Sequence, residues 1–288
     1  MQSNDVQQPN VKDGIDYWNS RPASVDGVLG GFGTGSLPRV DALGSRLFLL
    51  SLIPQLSIVP SAIRPLNPLP PTRRTRAVDV GAGVGRVTSS VLLHLVQDVV
   101  LVEPVDNFVR EALARASATE HLSGEWKGLL DKRKSVTVLQ GTLQDFDPSK
   151  PITGSNATLL GRVGYSPPDS EHQAEDESGF DVIWCQWCLG HLSDPDLVEF
   201  FLRARKSLRS AKKGTGDFEG LIIVKENTCS EKPPGTPTVR FDAQDSSLTR
   251  SDNAWKAAFR EAGLTLLKEE TQLGLTPGLY PVKMYALR

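Results

Sequence analysis

The stretch Val78-Asp-Val-Gly-Ala-Gly-Val-Gly-Arg86 decides the fold. Ala77-Val-Asp-Val80 reads as a short buried strand, mostly apolar and bounded by the glycine turn. Gly81, Gly83 and Gly85 then make a turn that lets the backbone approach a ligand closely, and a helix is expected from about Val84 to Val96. The free N–H groups at that helix start are ready-made donors. Val99 to Glu103 is a second strand, and its last residue is acidic. A carboxylate there accepts hydrogen bonds from the hydroxyls of a ribose.

Outward from this unit the alternation continues. Helix is expected from Asn107 to about His121, a third strand over 135–141, a fourth over Phe180–Cys185 and a fifth over 220–227. Asp194 is expected to cap a helix with Pro195 in its first turn, and Ser251 or Asp252 to cap another over 252–263. Late strands fall at about 264–271 and 279–287. Strands alternating with helices imply a mostly parallel sheet covered on both faces. The expectation is one α/β domain over 1–288, a three-layer sandwich with seven strands, the last antiparallel. Residues 1–12 are expected as a flexible tail and 13–58 as a helical cap, including periodicity from Val40 to Leu56. A Pro-rich surface connection follows near 60–71, and 149–179, ending in an acidic run, is expected as a disordered insertion.

Composition narrows the function. Apolar residues make up 39% of the 288, enough for a sizeable core, and charged residues 23%. The formal net charge of −2 lacks the clustered basic excess that nucleic-acid backbones need. No signal peptide is visible, and the apolar run from Leu47 to Val59 is short and broken by Pro54, so no membrane partner is expected. Three cysteines fit a reducing compartment, and cytoplasmic residence, with the nucleus as a second location, is the expectation. Cys185 and Cys188 have metal-site spacing, but only one further sulfur exists, so no metal site is expected.

A dinucleotide fingerprint is G-x-G-x-x-G. Here the third glycine comes one residue early, which favours a nucleoside without phosphates. S-adenosylmethionine (AdoMet) fits: Glu103 suits its ribose, and Arg86 suits its methionine carboxylate. Further along, Trp184-Cys-Gln-Trp-Cys-Leu-Gly-His191 closes the fourth strand, where open parallel sheets bind ligands. Alternation makes Trp184 a core residue and puts Trp187 beyond the sheet, as a flat surface suited to a proline ring. Asp242, Asp245, Ser246 and Ser247 place two carboxylates and two hydroxyls together, either as turn chemistry or as a seat for a cationic ligand. From the residues alone, methylation of a small cationic amine metabolite stays open, as does a non-catalytic binding module.

These segments together, VDVGAGVGRVT, LVEP, LQDFDP, FDVIWCQWCLGHL, IIVKEN, DSSLTR and the terminal YALR, resemble the α-N-terminal protein methyltransferase family. The likeness spans roughly 15–288, apart from the Pro-rich stretch and the insertion. It implies a class I methyltransferase Rossmann-like fold and AdoMet-dependent methylation of the free α-amine of proteins starting Xaa-Pro-Lys, with Ala, Pro or Ser first once the initiator Met is removed. Ribosomal proteins are among the implied substrates. The resemblance implies AdoMet contacts at Gly81, Arg86, Glu103, Pro104, Val105, Leu143, Gln144 and Gln186. It further implies that Asn227 holds the α-amine and that Asp245 and His191 handle its proton. Asp242 and Ser247 would hold the substrate lysine, with Trp18, Gly30, Gly31, Trp187 and Tyr280 lining the groove. Glu103 stands where many relatives have aspartate, a conservative change for ribose binding.

Overall fold

The computed structural model describes residues 7–57, 69–119, 125–154, 156–168 and 178–288. The expected Pro-rich connection falls largely, and the acidic run over 169–177 wholly, outside them.

The central sheet is built from β1 (Arg76–Val80), β2 (Asp98–Glu103), β3 (Ser135–Gln140), β4 (Thr158–Gly164), β5 (Val182–Gln186), β6 (Leu221–Asn227), β9 (Leu266–Thr271) and β10 (Val282–Leu287). Their order is β4-β3-β2-β1-β5-β6-β10-β9. The neighbours from β3 to β6 run parallel, while β10 is antiparallel to both β6 and β9. β1, β2 and β5 are buried along their whole length, as apolar strands between two layers must be. Between β1 and β5 the strand order reverses, and open sheets bind ligands at such a switch point.

Two apolar layers sandwich this sheet. One packs Ala77, Val99, Val136, Trp184 and Ile223 against the N-terminal helices and the segment after β1. The other packs Val78, Val100, Ile183 and Tyr285 against α6 (Asp194–Lys206) and α7 (Asp252–Glu261), which meet through Phe200, Phe201 and Phe259. The cap comprises α1 (Val11–Asn19), α2 (Val25–Val28) and α3 (Leu37–Leu52). A π-turn (Thr88–Leu92) leads into the short α4 (Leu93–Leu95), and α5 (Asp106–Thr119) follows β2. No helix among the described residues is long and apolar enough to cross a membrane.

Several boundaries depart from expectation for local reasons. Among the described residues the sheet has eight strands, not seven, because Thr158–Gly164 pairs antiparallel with β3 inside the stretch expected to be a disordered insertion. Its backbone completes the edge of β3, although most of its side chains are exposed or half-buried. The polar start expected as a tail to residue 12 is helical from Val11, because the Asn10 side chain accepts the Asp13 N–H. α3 begins earlier than expected and gives way to a 3₁₀ turn at Pro54–Leu56, since proline cannot extend the helix. The cap of α6 is Ser193, whose hydroxyl accepts the Asp196 N–H, so Asp194 lies within the first turn. Helix after β1 starts later than Val84 because Gly85 sits at φ +77°, and a Cβ there would meet Trp126 at 2.4 Å. The Asp/Ser cluster proves to be a hairpin, β7 (Val239–Asp242) with β8 (Ser247–Arg250).

Candidate active site

A cleft holding about 960 Å³, its open mouth included, lies over the carboxyl ends of β1, β2, β3 and β5. All eight residues expected at the cofactor line it: Gly81, Arg86, Glu103, Pro104, Val105, Leu143, Gln144 and Gln186. Trp18, Trp187 and His191 line it as well.

Gly81 has φ +63°, and a Cβ there would lie 2.3 Å from Cys188 Cβ. Its glycine identity is therefore set by the β5 loop crowding against the β1 turn. Glu103, buried at the end of β2, receives the Gly83 N–H on Oε2 at 2.8 Å and the Val105 N–H on Oε1 at 2.9 Å. Burial pushes its carboxyl up to about 7, against the pull of those two amides and with some help from the Asp79 charge. Each oxygen keeps lone-pair capacity for a hydroxyl donor. Asp79, buried in β1, is raised to about 6 by the same desolvation, opposed chiefly by the hydrogen bond from Thr88.

Arg86 donates to Asp41 Oδ2 at 2.6 Å, and its guanidinium carbon lies 5.3 Å from the centroid of the Trp187 ring. Gln186 donates to the same carboxylate at 2.9 and 3.0 Å, while its oxygen accepts the Trp184 indole N–H at 3.1 Å. Trp184 is fully buried, the core residue that strand alternation predicts. On the far side, Arg203 donates to the carbonyls of Leu143, Gln144 and Phe146, fixing the loop after β3.

Trp187 leaves the sheet at φ +55°, a conformation that costs a bulky residue energy. The β6 strand holds it there: Trp187 N–H donates to the Lys225 carbonyl, and Glu226 Oε1 accepts the N–H groups of Cys188 and Leu189 at 2.9 and 3.0 Å. The Trp187 indole N–H is buried with no acceptor among the described residues. A buried donor with no protein partner, on the wall of a cleft whose glycine turn excludes side chains, fits a ligand that carries acceptors.

His191 receives the Trp18 indole N–H on Nε2 at 3.0 Å, which places the ring proton of the neutral imidazole on Nδ1. Burial lowers its pKa, while Asp245 and the Ser246 backbone oppose that shift. Ser247 donates to Asp245 Oδ1 at 2.7 Å, and the Asn10 N–H donates to Ser246 Oγ at 2.8 Å, so α1 clasps the β7–β8 hairpin beside His191. Asp242, Asp245 and Ser247 lie on this hairpin and do not line the cleft, and Asp242 is exposed. Asn227 ends β6, and its carbonyl accepts from Trp255. Gly30 and Gly31 (φ +60° and +91°) follow Val28 and Leu29, which do line the cleft. Tyr280 is exposed before β10. The cysteine pair is buried as free thiols pushed far above their ordinary pKa by desolvation, with Cys188 packed on the glycine turn.

Sequence reasoning missed Asp41, Lys225, Glu226 and Arg203. The signal for two of them was present: Lys225-Glu226 sits inside an otherwise apolar strand, where charges survive only with partners. Asp41 and Arg203 carry no such mark.

The family model for AdoMet-dependent proline di-methyltransferases matches residues 6–154 and 164–288. The chain is 33% identical over 275 residues to alpha N-terminal protein methyltransferase 1 of Schizosaccharomyces pombe, covering 96% of this chain and 94% of that one. It is 32% identical over 272 residues to the human N-terminal Xaa-Pro-Lys N-methyltransferase 1, covering 94% and 92%. Among solved structures, a SAM-dependent methyltransferase of Leishmania major superposes with a TM-score of 0.65 at 28% identity, covering 96% of this chain and 82% of that one. A Burkholderia thailandensis 1,6-didemethyltoxoflavin-N1-methyltransferase shares the fold, with a TM-score of 0.50 at 14% identity and coverage of 96% and 83%.

Proposed function

This chain belongs to the AdoMet-dependent proline di-methyltransferase family, and we propose that it methylates the free α-amine of proteins whose processed N-terminus reads Xaa-Pro-Lys. Ala, Pro or Ser stands first in such substrates, and ribosomal proteins with that start are candidates. The observation that carries the reading is the shared cleft, in which a nucleoside-type glycine turn and the Trp18–His191–Trp187 group line the same space.

AdoMet, when bound, supplies a methyl group on a sulfonium. In this reading the Gly81–Gly83 backbone and Glu103 hold its adenosine ribose, Leu143 and Gln144 its adenine, and Arg86 and Gln186 its methionine end. The rest of the work falls to side chains that deliver a neutral amine. An α-amine has a pKa of about 7.7–8.0, so roughly one in eight is uncharged at pH 7, and neutralising the rest costs about 1 kcal/mol. A lysine side chain, with a pKa of about 10.4, costs more than about 4 kcal/mol. A weak base therefore suffices for a terminus. His191 is neutral, and its Nε2 accepts a proton once the Trp18 N–H turns away. Asp245, beside it, steadies the imidazolium that results. Asn227 orients the amine through its side-chain amide, Trp187 stacks on the proline ring, and Asp242 with Ser247 takes the lysine. Gly30, Gly31 and Tyr280 flank the peptide at the rim. Most of the acceleration comes from alignment and exclusion of water.

The test is a methylation assay on peptides varied at the first three positions. Gains of one to three methyl groups at the terminus of Ser-Pro-Lys and Ala-Pro-Lys peptides are expected, and of one or two on Pro-Pro-Lys, whose secondary amine has room for two, with none on an acetylated version. Preference for internal lysines, or small amine metabolites outcompeting the peptides, overturns the substrate assignment.

A further inference from the structure

Behind Arg86 and Gln186, on the wall of the cleft, lie two buried charges, Asp41 and Lys225, to which the proposed function assigns no role. Asp41, in the first turns of α3, is 0% exposed. Its Oδ2 receives Arg86 at 2.6 Å, its Oδ1 pairs with Lys225 Nζ at 2.6 Å, and both oxygens receive the Gln186 amide. Lys225, itself 0% exposed in β6, also donates to Ser45 Oγ at 2.9 Å and Gln272 Oε1 at 2.8 Å. Desolvation works against the charges of both Asp41 and Lys225, and each offsets it for the other.

A buried ion pair contributes little net stability compared with apolar residues of the same volume, so its position is informative. Asp41 is the one hydrogen-bond acceptor for the Arg86 guanidinium among the described residues. It is also the acceptor for the Gln186 amide nitrogen. A guanidinium has five N–H donors in a rigid fork. Held at one end by a fixed carboxylate, Arg86 presents its remaining donors to the cleft that it lines. The aromatic face of Trp187 bounds the fork on another side.

We infer that Asp41 is a positioning residue: anchored by Lys225, it fixes Arg86 and Gln186 for the α-amino-acid end of the cofactor and so ties the docking of α3 to cofactor binding. The inference rests on the proposed roles of Arg86 and Gln186 and adds the device behind them. It separates two properties that a merely structural anchor of α3 would not. Loss of Asp41 lowers affinity for ligands that carry the amino acid, and leaves affinity for the bare nucleoside thioether nearly unchanged.

Calorimetry on the full-length chain with S-adenosylhomocysteine and with 5′-methylthioadenosine, which lacks the amino acid, tests this. In Asp41→Asn, S-adenosylhomocysteine binding weakens about tenfold to a hundredfold, the scale seen when supports behind metal ligands are removed. Methylthioadenosine binding stays within about twofold on the same ground, since its contacts at Glu103 and Leu143 are untouched. Asp41→Asn/Lys225→Met removes both charges of the pair together. It gives the same selective loss, and it carries the comparison if the single variant does not fold. Equal loss of both ligands, or no loss of either, overturns the role of Asp41. Arg86→Met separates the two layers of the argument. If it leaves S-adenosylhomocysteine binding intact, the assignment of Arg86 falls and this inference with it. If it weakens binding while the Asp41 variants do not, only the positioning role falls.

Discussion

At the scale of single residues, two side chains turn burial into chemistry. Glu103 is buried, with its carboxyl raised to about 7, while accepting two backbone N–H groups. With Glu103 as the proposed ribose seat, hydroxyls donate to its ionised form, so cofactor binding favours proton loss. Affinity for S-adenosylhomocysteine is expected to rise between pH 6 and pH 8, and calorimetry in buffers of different ionisation enthalpy should show proton release near pH 6. Glu103→Gln abolishes this linkage and weakens binding at pH 8 by about tenfold to a hundredfold, the worth of a hydrogen bond to a charged group. Trp18 acts on His191 by donating to Nε2, which favours the neutral ring. In Trp18→Phe the NMR titration of His191 should therefore move to higher pH, with the acidic limb of the rate profile moving in the same direction. An unmoved titration would mean that the indole contributes nothing to the protonation state of His191.

Elements position those residues through contacts made from outside the cleft. The basic last turn of α6, favourable to the helix dipole, also reaches across to three carbonyls of the loop after β3 through Arg203. Arg203→Met leaves those carbonyls without their donor and frees the loop that carries Leu143 and Gln144. KM for AdoMet should rise about three- to tenfold with little change in KM for peptide, and the melting temperature should fall, in keeping with a loss of about 1–2 kcal/mol for such hydrogen bonds. On the opposite side, β6 holds the Trp187 turn through Glu226 and the Lys225 carbonyl. Two neighbouring residues of one strand thus serve the two halves of the cleft: the Lys225 side chain faces Asp41 and the Glu226 side chain faces the turn.

For the whole molecule, pH dependence of stability follows from which carboxylates the fold raises and which it lowers. Asp79, Glu103 and Glu226 are raised by desolvation to about 6, 7 and 7. Between their ordinary values and these, the native state binds more protons than the unfolded chain, so stability falls as pH rises through that window. Asp41, with Arg86 and Lys225 beside it, and Asp252, with Lys256 and Lys283, are held below 3.8. Their contribution is present above 3.8 and is lost as pH falls. On these carboxylates the ligand-free chain is expected to be most stable at about pH 4, where Asp41 and Asp252 are ionised and the raised groups still protonated, and to lose stability as pH rises toward 7. Saturation with S-adenosylhomocysteine shifts the optimum upward, because it favours ionised Glu103. Thermal melts from pH 3 to pH 9 with and without that ligand measure both effects, and a common optimum would contradict the Glu103 assignment.

The sequence by itself determined the alternating architecture, the glycine turn and the acidic residue that ends β2. Those features are local: an apolar run, a left-handed turn and a strand end declare themselves within a few positions. The same locality put Trp187 beyond the sheet as a groove candidate, whereas His191 and the Asp/Ser cluster became site candidates only through the family resemblance. Only the tertiary structure decided that Thr158–Gly164 joins the sheet, since an edge strand with a mostly wet surface shows neither alternation nor a continuous apolar run. The structure likewise turned the Asp/Ser cluster into a hairpin clasped by α1. It alone brought Asp41 to Arg86, Gln186 and Lys225, partners separated from it by 45, 145 and 184 positions. A charge in an amphipathic helix reads as solvent-facing until the fold removes the water around it, and nothing in its neighbours along the chain records which distant cations will replace that water.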